Sequence, residues 1–315
     1  MSAIGIIGAG FGLYGYLPAL IEVGEKKIIL PARYKDKFSA RSELQMYAGY
    51  VQWVSDERVM LEMVDSIVLA LPPGYQLELV KKLIHFQNVK NLLLEKPLAV
   101  SPGMSSQLID ELVNSKKRFR IGYNFRFTSW RVGIFEYINS ITHAARINRL
   151  YISWNFLAPH YRNDELIWKR FNSSGGGALR FYGIHLIALL AEYGYTEVLF
   201  SKKFGSNPDE VAKWEARFSG ENLPICEILV DSKTTKSQFM VSIFTNSKKT
   251  NMFNLLDPFD CNENSQAYKG QDKRLPYLVD LCRSLFDDSG MIYVWYKNTI
   301  ELWRRVEDVS TFKIC

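Results

Sequence analysis

The stretch IGIIGAGFGLYGYLPAL, residues 4–20, constrains the fold more than any other part of the chain. A short apolar run breaks into glycines and passes directly into an apolar helical pattern. It can be read as an export signal, a membrane anchor or a phosphate-holding loop. As a signal it lacks a Lys or Arg before the apolar run and a small-x-small cleavage site after it. As an anchor it is too short and too glycine-rich, and Pro18 and Glu22 interrupt it. No other segment reaches the ~18 uninterrupted apolar residues of a spanning helix. What remains is a strand–turn–helix whose backbone N–H groups and helix N-terminus face an anion, as in dinucleotide-binding folds. Gly8 allows the tight turn, and Gly10 lets a pyrophosphate approach the backbone. The third glycine of GxGxxG would fall at 13, where Leu13 stands; Gly12 comes one place early. Phe11 and Gly12 complete the candidate loop. The alternative is a glycine-rich core turn that holds no ligand.

The pattern beyond the loop supports a parallel sheet. Strand-like runs at 27–31, 51–54, 65–73, 90–97 and 118–124 alternate with helical patterns at 39–48, 75–86 and 103–116. Alternation of this kind predicts helices on both faces of a parallel sheet. After residue 124 the rhythm changes. A helical stretch at 129–143 leads into the alternating run INRLYISWNF. The glycine trio 175–177 opens an apolar helical stretch to about 193. Strand-like runs follow at 196–203, 211–219, 225–230, 237–244 and 249–256, then amphipathic helices at 274–287 and 293–307. The expected fold is α/β: a doubly wound Rossmann domain over 1–124, then an α+β domain over 125–315 with a large, mostly antiparallel, open-faced sheet.

Composition excludes several function classes. The net charge of +6 is spread along the chain, with KKR at 116–118 and RR at 304–305 the densest runs, so no nucleic-acid partner is expected. Cys226, Cys261, Cys282 and Cys315 show no CxxC spacing, and with four scattered histidines no metal site is expected. Free thiols fit a reducing, cytoplasmic setting better than a disulfide framework. His85, His143 and His160 have no spacing suited to a metal or a catalytic triad.

The end of the second strand bears on cofactor choice. A carboxylate there suits the ribose hydroxyls of NAD, an arginine the 2′-phosphate of NADP. The sequence reads LPARYKDK: Arg33 takes the position, Lys35 and Lys37 follow, and Asp36 comes late. NADP is therefore expected, with NAD as the alternative; the charges can also be an ordinary solvated strand end. Leu71 and Pro72, where strand 65–73 stops, are further candidates for cofactor contact.

IGIIGAGFG…LPAL, VLALPP, LLLEKPLAVS and GGGALRFYGIHLI occur in the order found in the glucose–fructose oxidoreductase/inositol dehydrogenase/MocA family, which the chain resembles over roughly residues 1–190. The resemblance implies hydride transfer between a nicotinamide and a carbinol carbon, often of a sugar or cyclitol held between two domains. It also implies homo-oligomers, dimers or tetramers, that pair through the second domain's sheet. A small-molecule substrate, sugar-like or nucleotide-linked, is expected, without a membrane partner.

Lys96, at a strand's carboxyl end, can polarise the reacting oxygen or exchange a proton with it, and Glu95 can help position the cofactor or the lysine. His185 is the second catalytic candidate, since a neutral imidazole can take or give a proton; taken alone, a histidine among Ile and Leu reads as core. Relatives carry Asp four residues before that histidine. Here it is Phe181, and Tyr182 beside it is a candidate for supplying a phenol. This departure leaves open a second reading, a catalytically inactive cofactor-binding regulator or scaffold on the same fold. Asn124 and Arg126, in GYNFRF, can hold substrate hydroxyls or an anionic group, or serve interdomain bonding. Tyr161, Arg162 and Trp168 precede the glycine trio where relatives shape the pocket, and Trp168 reads as packing or as recognition. Tyr75 is placed near the cofactor.

Overall fold

A computed structural model describes residues 3–140, 147–245, 248–260, 272–287 and 291–315. Cys261, His143 and the end of the helix expected over 129–143 lie outside the described residues. The chain divides into two compact units, one of residues 1–99, 107–127 and 263–289, the other of 100–106, 128–262 and 290–315. The long N-terminal part of the first unit thus runs to 127, and a C-terminal segment returns to it.

The first unit is built on a parallel sheet of six strands: β1 (Ile4–Ile7), β2 (Ile28–Pro31), β3 (Val51–Val54), β4 (Ser66–Leu69), β5 (Asn91–Leu94) and β6 (Arg118–Ile121), in spatial order β3-β2-β1-β4-β5-β6. The order reverses beside β1, which makes the carboxyl ends of β1 and β4 a topological switch point. β1 and β4 are buried along their whole length, as strands covered on both faces must be. The helices are α1 (Leu17–Val23), α2 (Lys35–Ser39), α3 (Glu57–Met63), α4 (Pro73–Leu83) and, from residue 107 on, α5 (Pro102–Asn114).

One local prediction is corrected, and one helix lies where none was predicted. The helix expected over 39–48 is instead α2 followed by 3₁₀ turns from Ser42 to Tyr50, whose buried residues Leu44 and Tyr47 are three apart, the 3₁₀ period. α3 carries too few residues to show a clear period. It is nucleated by Asp56, whose carboxylate accepts from the Val59 N–H at 3.0 Å, and it buries only Met60 and Leu61.

The second unit begins its sequential run with α6 (Ser129–Ser140), β7 (Ile147–Leu157), α7 (Pro159–Arg162), α8 (Ile184–Tyr193), β8 (Glu197–Asn207) and β9 (Glu210–Ser219). β10 (Ile225–Asp231), β11 (Lys233–Thr245) and β12 (Lys249–Leu255) follow. Next comes α9 (Leu275–Ser284), which belongs to the first unit; its Leu275, Leu278, Leu281, Cys282 and Leu285 share a core with β1, α1 and β2. Arg118 and Arg120, alternate residues of β6, donate to the carbonyls of Phe286 (3.4 Å) and Asp287 (2.6 Å) just past the end of α9, where cations suit the helix dipole. α10 (Met291–Val309) and β13 (Ser310–Ile314) complete the second unit.

Its sheet has seven strands, β12-β11-β7-β10-β9-β8-β13. β7/β10 and β8/β13 are parallel pairs and the rest antiparallel, so the sheet is mixed but mostly antiparallel. β13 was not expected: it is a short edge strand with little buried surface to pattern it. Along β10 burial alternates strictly. Cys226, Ile228 and Val230 face the covered side, while Glu227 on the other side pairs with Arg149 (3.1 Å) and Arg217 (2.8 Å). On the covered side α8 and α10 pack together, and the Trp295 indole donates to the Ala188 carbonyl at 2.7 Å.

Candidate functional site

The glycine loop joins β1 to a helix that opens with a wide, π-helical turn, Gly12–Tyr16, before α1 takes over. Gly8 has φ +130°, and a Cβ there would collide with the Ala70 carbonyl at the end of β4. A Cβ on Gly12 would lie 2.8 Å from the Ile6 side chain on β1. Gly12 therefore supplies the close helix–strand packing expected of the third glycine, and the wide turn accommodates its early position. At Gly10 the space around the backbone is open, leaving room for a phosphate to approach. A dinucleotide fits this cradle on those grounds.

The second strand's end is tied to the loop. Tyr34 is buried, and its hydroxyl accepts from the Gly8 N–H at 3.1 Å and from Arg33 Nη2 at 3.2 Å. The same Arg33 nitrogen is ion-paired with Glu57, the first residue of α3. Arg33 keeps 61% of its side chain exposed. Leu71 and Pro72 are half-buried between β4 and α4, and Tyr75 is exposed.

β5 delivers Glu95 and Lys96 at its carboxyl end, and the Lys96–Pro97 peptide is cis. Lys96 is buried to 8% exposure. Two residues that sequence reasoning passed over organise this end. Gln76, on α4 and fully buried, accepts from the Glu95 N–H (2.8 Å) and donates to the carbonyls of Glu95 (2.7 Å) and Leu98 (3.1 Å). The clamp closes on both sides of Lys96. Tyr16 donates its hydroxyl to Glu95 Oε1 at 2.5 Å; burial, then the charge of Glu95, push its phenol pKa well above the ordinary value. A buried glutamine on an amphipathic helix is the only sequence sign of the first, and nothing signals the second. Asn124 is buried in this unit, and its Oδ1 has no hydrogen-bond partner among the described residues. A buried acceptor in that state calls for a donor from water or ligand. Arg126 is half-buried on the same short turn.

A further arginine enters from outside the N-terminal stretch. Arg274, just before α9, lies 4.3 Å over the Phe11 ring and is held by Asp272 at 2.8 and 2.5 Å. Beside it a cavity of about 440 Å³ is lined by Tyr14, Arg41, Tyr47, Asp272 and Leu275, among others. Arg274 stands far from the loop in sequence, so only the return of α9 to this unit reveals it.

In the second unit the glycine trio leads into another π-helical turn, Ala178–Gly183, and then α8. Arg180 anchors this turn: it donates to Glu307 of α10 at 2.7 Å and to the carbonyls of Val100 (2.9 Å) and Asn172 (2.8 Å). Burial works to raise the Glu307 carboxyl, but Arg180 and Lys203 hold it below the usual carboxylate range. His185 follows in the first turn of α8 and is buried.

Tyr182 is buried in an aromatic nest. Phe156 and Phe181 lie 4.7 Å from it, Trp154 5.5 Å, and His160 stacks at 6.3 Å. Phe181 meets Trp168 edge-on at 5.2 Å, so Trp168 packs, while remaining half-exposed. Buried His160 is held neutral: desolvation first, then Lys169 and Arg170, lower its pKa to about 4. Tyr161 is pushed up to about 12, mainly by burial and then by Glu210. Among the described residues no group of three His, Cys, Asp or Glu can hold a metal ion, and no helix is long and apolar enough to cross a membrane.

Residues 2–123 match a family described as an oxidoreductase family with an NAD-binding Rossmann fold. This match covers under half of the chain and agrees with the resemblance of its motifs to the glucose–fructose oxidoreductase/inositol dehydrogenase/MocA family. No curated protein matches the chain in sequence. Solved structures share the fold over nearly the whole length. KijD10, a 3-ketoreductase from Actinomadura kijaniata in complex with NADP and TDP-benzene, is 14% identical, with TM-score 0.73 and coverage of 100% of this chain and 99% of that one. GenD2 from gentamicin A biosynthesis, in complex with NAD, is 15% identical, with TM-score 0.73 and coverage of 98% and 93%. The WlbA dehydrogenase from Bordetella pertussis, in complex with NADH and UDP-GlcNAcA, is 14% identical, with TM-score 0.74 and coverage of 98% and 96%.

Proposed function

We propose that this chain interconverts a carbonyl and an alcohol carbon on a sugar-like substrate, a nucleotide-linked sugar being the favoured class, using NADP in preference to NAD. The observation that carries the reading is the clamped end of β5. A buried lysine, its flanking backbone held by Gln76, stands in the same unit as an open glycine cradle. The substrate class draws support from the nucleotide and nucleotide-sugar ligands in the complexes of KijD10 and WlbA.

The bound nicotinamide would supply or accept the hydride. Gly10 and the helix N-terminus beyond it would hold its pyrophosphate, and Arg33 the 2′-phosphate. In the reducing direction the Lys96 ammonium stabilises negative charge developing on the substrate oxygen. Lys96 can also return the proton to that oxygen. Tyr16 and Gln76 hold Glu95 and the backbone around Lys96, so the ammonium need not be ordered during the reaction. The polar, charge-paired open face of the large sheet is proposed as the surface joining copies of the chain.

The test is NADPH and NADH oxidation with a panel of keto-sugars, free and nucleotide-linked, for wild-type protein and Lys96→Met. Turnover by the wild type and a loss of about 10²–10⁴-fold in kcat for Lys96→Met are expected. The aromatic Phe181, packed on Trp168 where relatives have a carboxylate, favours a second reading, an inactive cofactor-binding regulator. Tight nucleotide binding with no hydride transfer to any substrate would establish that reading instead.

A further inference from the structure

The Arg33 guanidinium does not stand free. Its Nη2 serves both the Tyr34 hydroxyl and the Glu57 carboxylate, and its plane lies near the Tyr34 ring, with Cζ 5.2 Å from the centroid. Glu57 is itself well placed. It opens α3, where the helix dipole favours a negative charge, and the Asp56 cap fixes the start of that helix. Its side chain is 27% exposed overall, while the paired oxygen, Oε1, is buried against the arginine.

We propose that Glu57 is a cofactor-selectivity residue that competes with the 2′-phosphate of NADP for Arg33 and so keeps NAD usable. The inference rests on the reading that Arg33 faces the adenosine ribose. Guanidinium grips phosphate best through two N–H groups at once, and here one terminal nitrogen is already committed. A phosphate dianion arriving at Arg33 meets a carboxylate at ion-pair distance from the same guanidinium, and the like charges repel. A ribose bearing a free 2′-hydroxyl meets no such penalty, because a carboxylate accepts a hydroxyl hydrogen bond while Arg33 stays paired. A single exposed arginine alone reads as strict NADP preference; the arginine–glutamate pair makes a balanced selector. Lys35 and Lys37 nearby are exposed and soften the repulsion without removing it.

The experiment measures dissociation constants for NADPH and NADH by nucleotide fluorescence on wild-type protein, Glu57→Gln, Arg33→Ala and the double variant. Glu57→Ala serves as a second neutral replacement, and a thermal melt confirms that each variant is folded. The expected result is that Glu57→Gln and Glu57→Ala tighten NADPH about tenfold while NADH is unchanged or weakened, the size of one screened charge interaction. In the Arg33→Ala background the same change should move the NADPH/NADH ratio less than about twofold, because the competition has lost its object. Equal shifts for both nucleotides, an unmoved ratio, or the full shift without Arg33 overturns the role of Glu57. Wild-type protein that binds neither nucleotide overturns the cofactor reading itself, which is a different and recognisable failure.

Discussion

Replacing Gln76 by leucine tests the structural logic of the Lys96 end most directly. The side chain is fully buried and makes three hydrogen bonds, to the Glu95 N–H and to the Glu95 and Leu98 carbonyls. Leucine matches it in size but offers none of them. The Glu95 N–H keeps a second acceptor, the Leu69 carbonyl at 3.1 Å, whereas both carbonyls lose this donor. At about 1 kcal/mol per buried hydrogen bond the loss is about 3 kcal/mol. For a unit of this size that corresponds to a fall in Tm of roughly 6–12 °C. The functional consequence is separable. Glu95 and Leu98 bracket Lys96, and a shift of about 1 Å in a reacting group can cost about 100-fold in rate. Thermal melts and steady-state kinetics on the same preparation read both effects, with kcat expected to fall far more than KM rises. A variant that melts with wild-type protein refutes the hydrogen-bond accounting. A destabilised variant with unchanged kcat refutes the claim that the clamp positions Lys96.

Three other outcomes follow from particular contacts. Tyr34→Phe removes the acceptor shared by Gly8 and Arg33 and should weaken NADPH and NADH alike, by about threefold to tenfold on the value of one hydrogen bond, in contrast to the selective effect expected at Glu57. Gly12→Val forces a branched side chain onto Ile6 and should lower Tm and abolish nucleotide binding together; retention of binding at wild-type affinity would show that the loop packs otherwise. His160 has a folded pKa of about 4 against about 6.5 unfolded, so it binds its proton more weakly when folded. Its contribution is constant above pH ~6.5 and stability falls as pH drops from there to ~4, by about 1.4 kcal/mol per unit and on the order of 3 kcal/mol in all. Lys169, Arg170, Glu165 and Glu210 remain to titrate or not in both proteins. The difference between wild type and His160→Gln in denaturant stability should therefore steepen across that window, and a flat difference would refute the assignment.

The parallel sheet, the glycine loop and the EKP strand end were legible in the sequence because each depends on local chemistry. A strand buried on both faces needs an unbroken apolar run such as ILP or IVLAL, a loop crossing another strand needs Gly8, and a strand end stops at prolines. The third loop glycine was less plain: the standard spacing assumes an α-helical start, whereas the wide turn at Gly12–Tyr16 puts the close contact at Gly12. Short elements escaped for want of a period, as α3 and β13 show.

What the chain order could not reveal is which distant residues complete each locally encoded feature. Lys96 announces itself, but Gln76 and Tyr16 become its supports only when α4 and the loop helix pack beside β5. Arg33 announces itself, but Glu57 becomes its partner only when β2 and α3 come together. Arg274 reaches Phe11 because α9 buries its apolar face in the first unit's core rather than near its own chain neighbours. Backbone geometry and burial period act over a few residues and so can be read along the chain. Contacts such as Gln76 to Glu95, Tyr16 to Glu95 and Arg33 to Glu57 join residues from different elements, and packing alone chooses them.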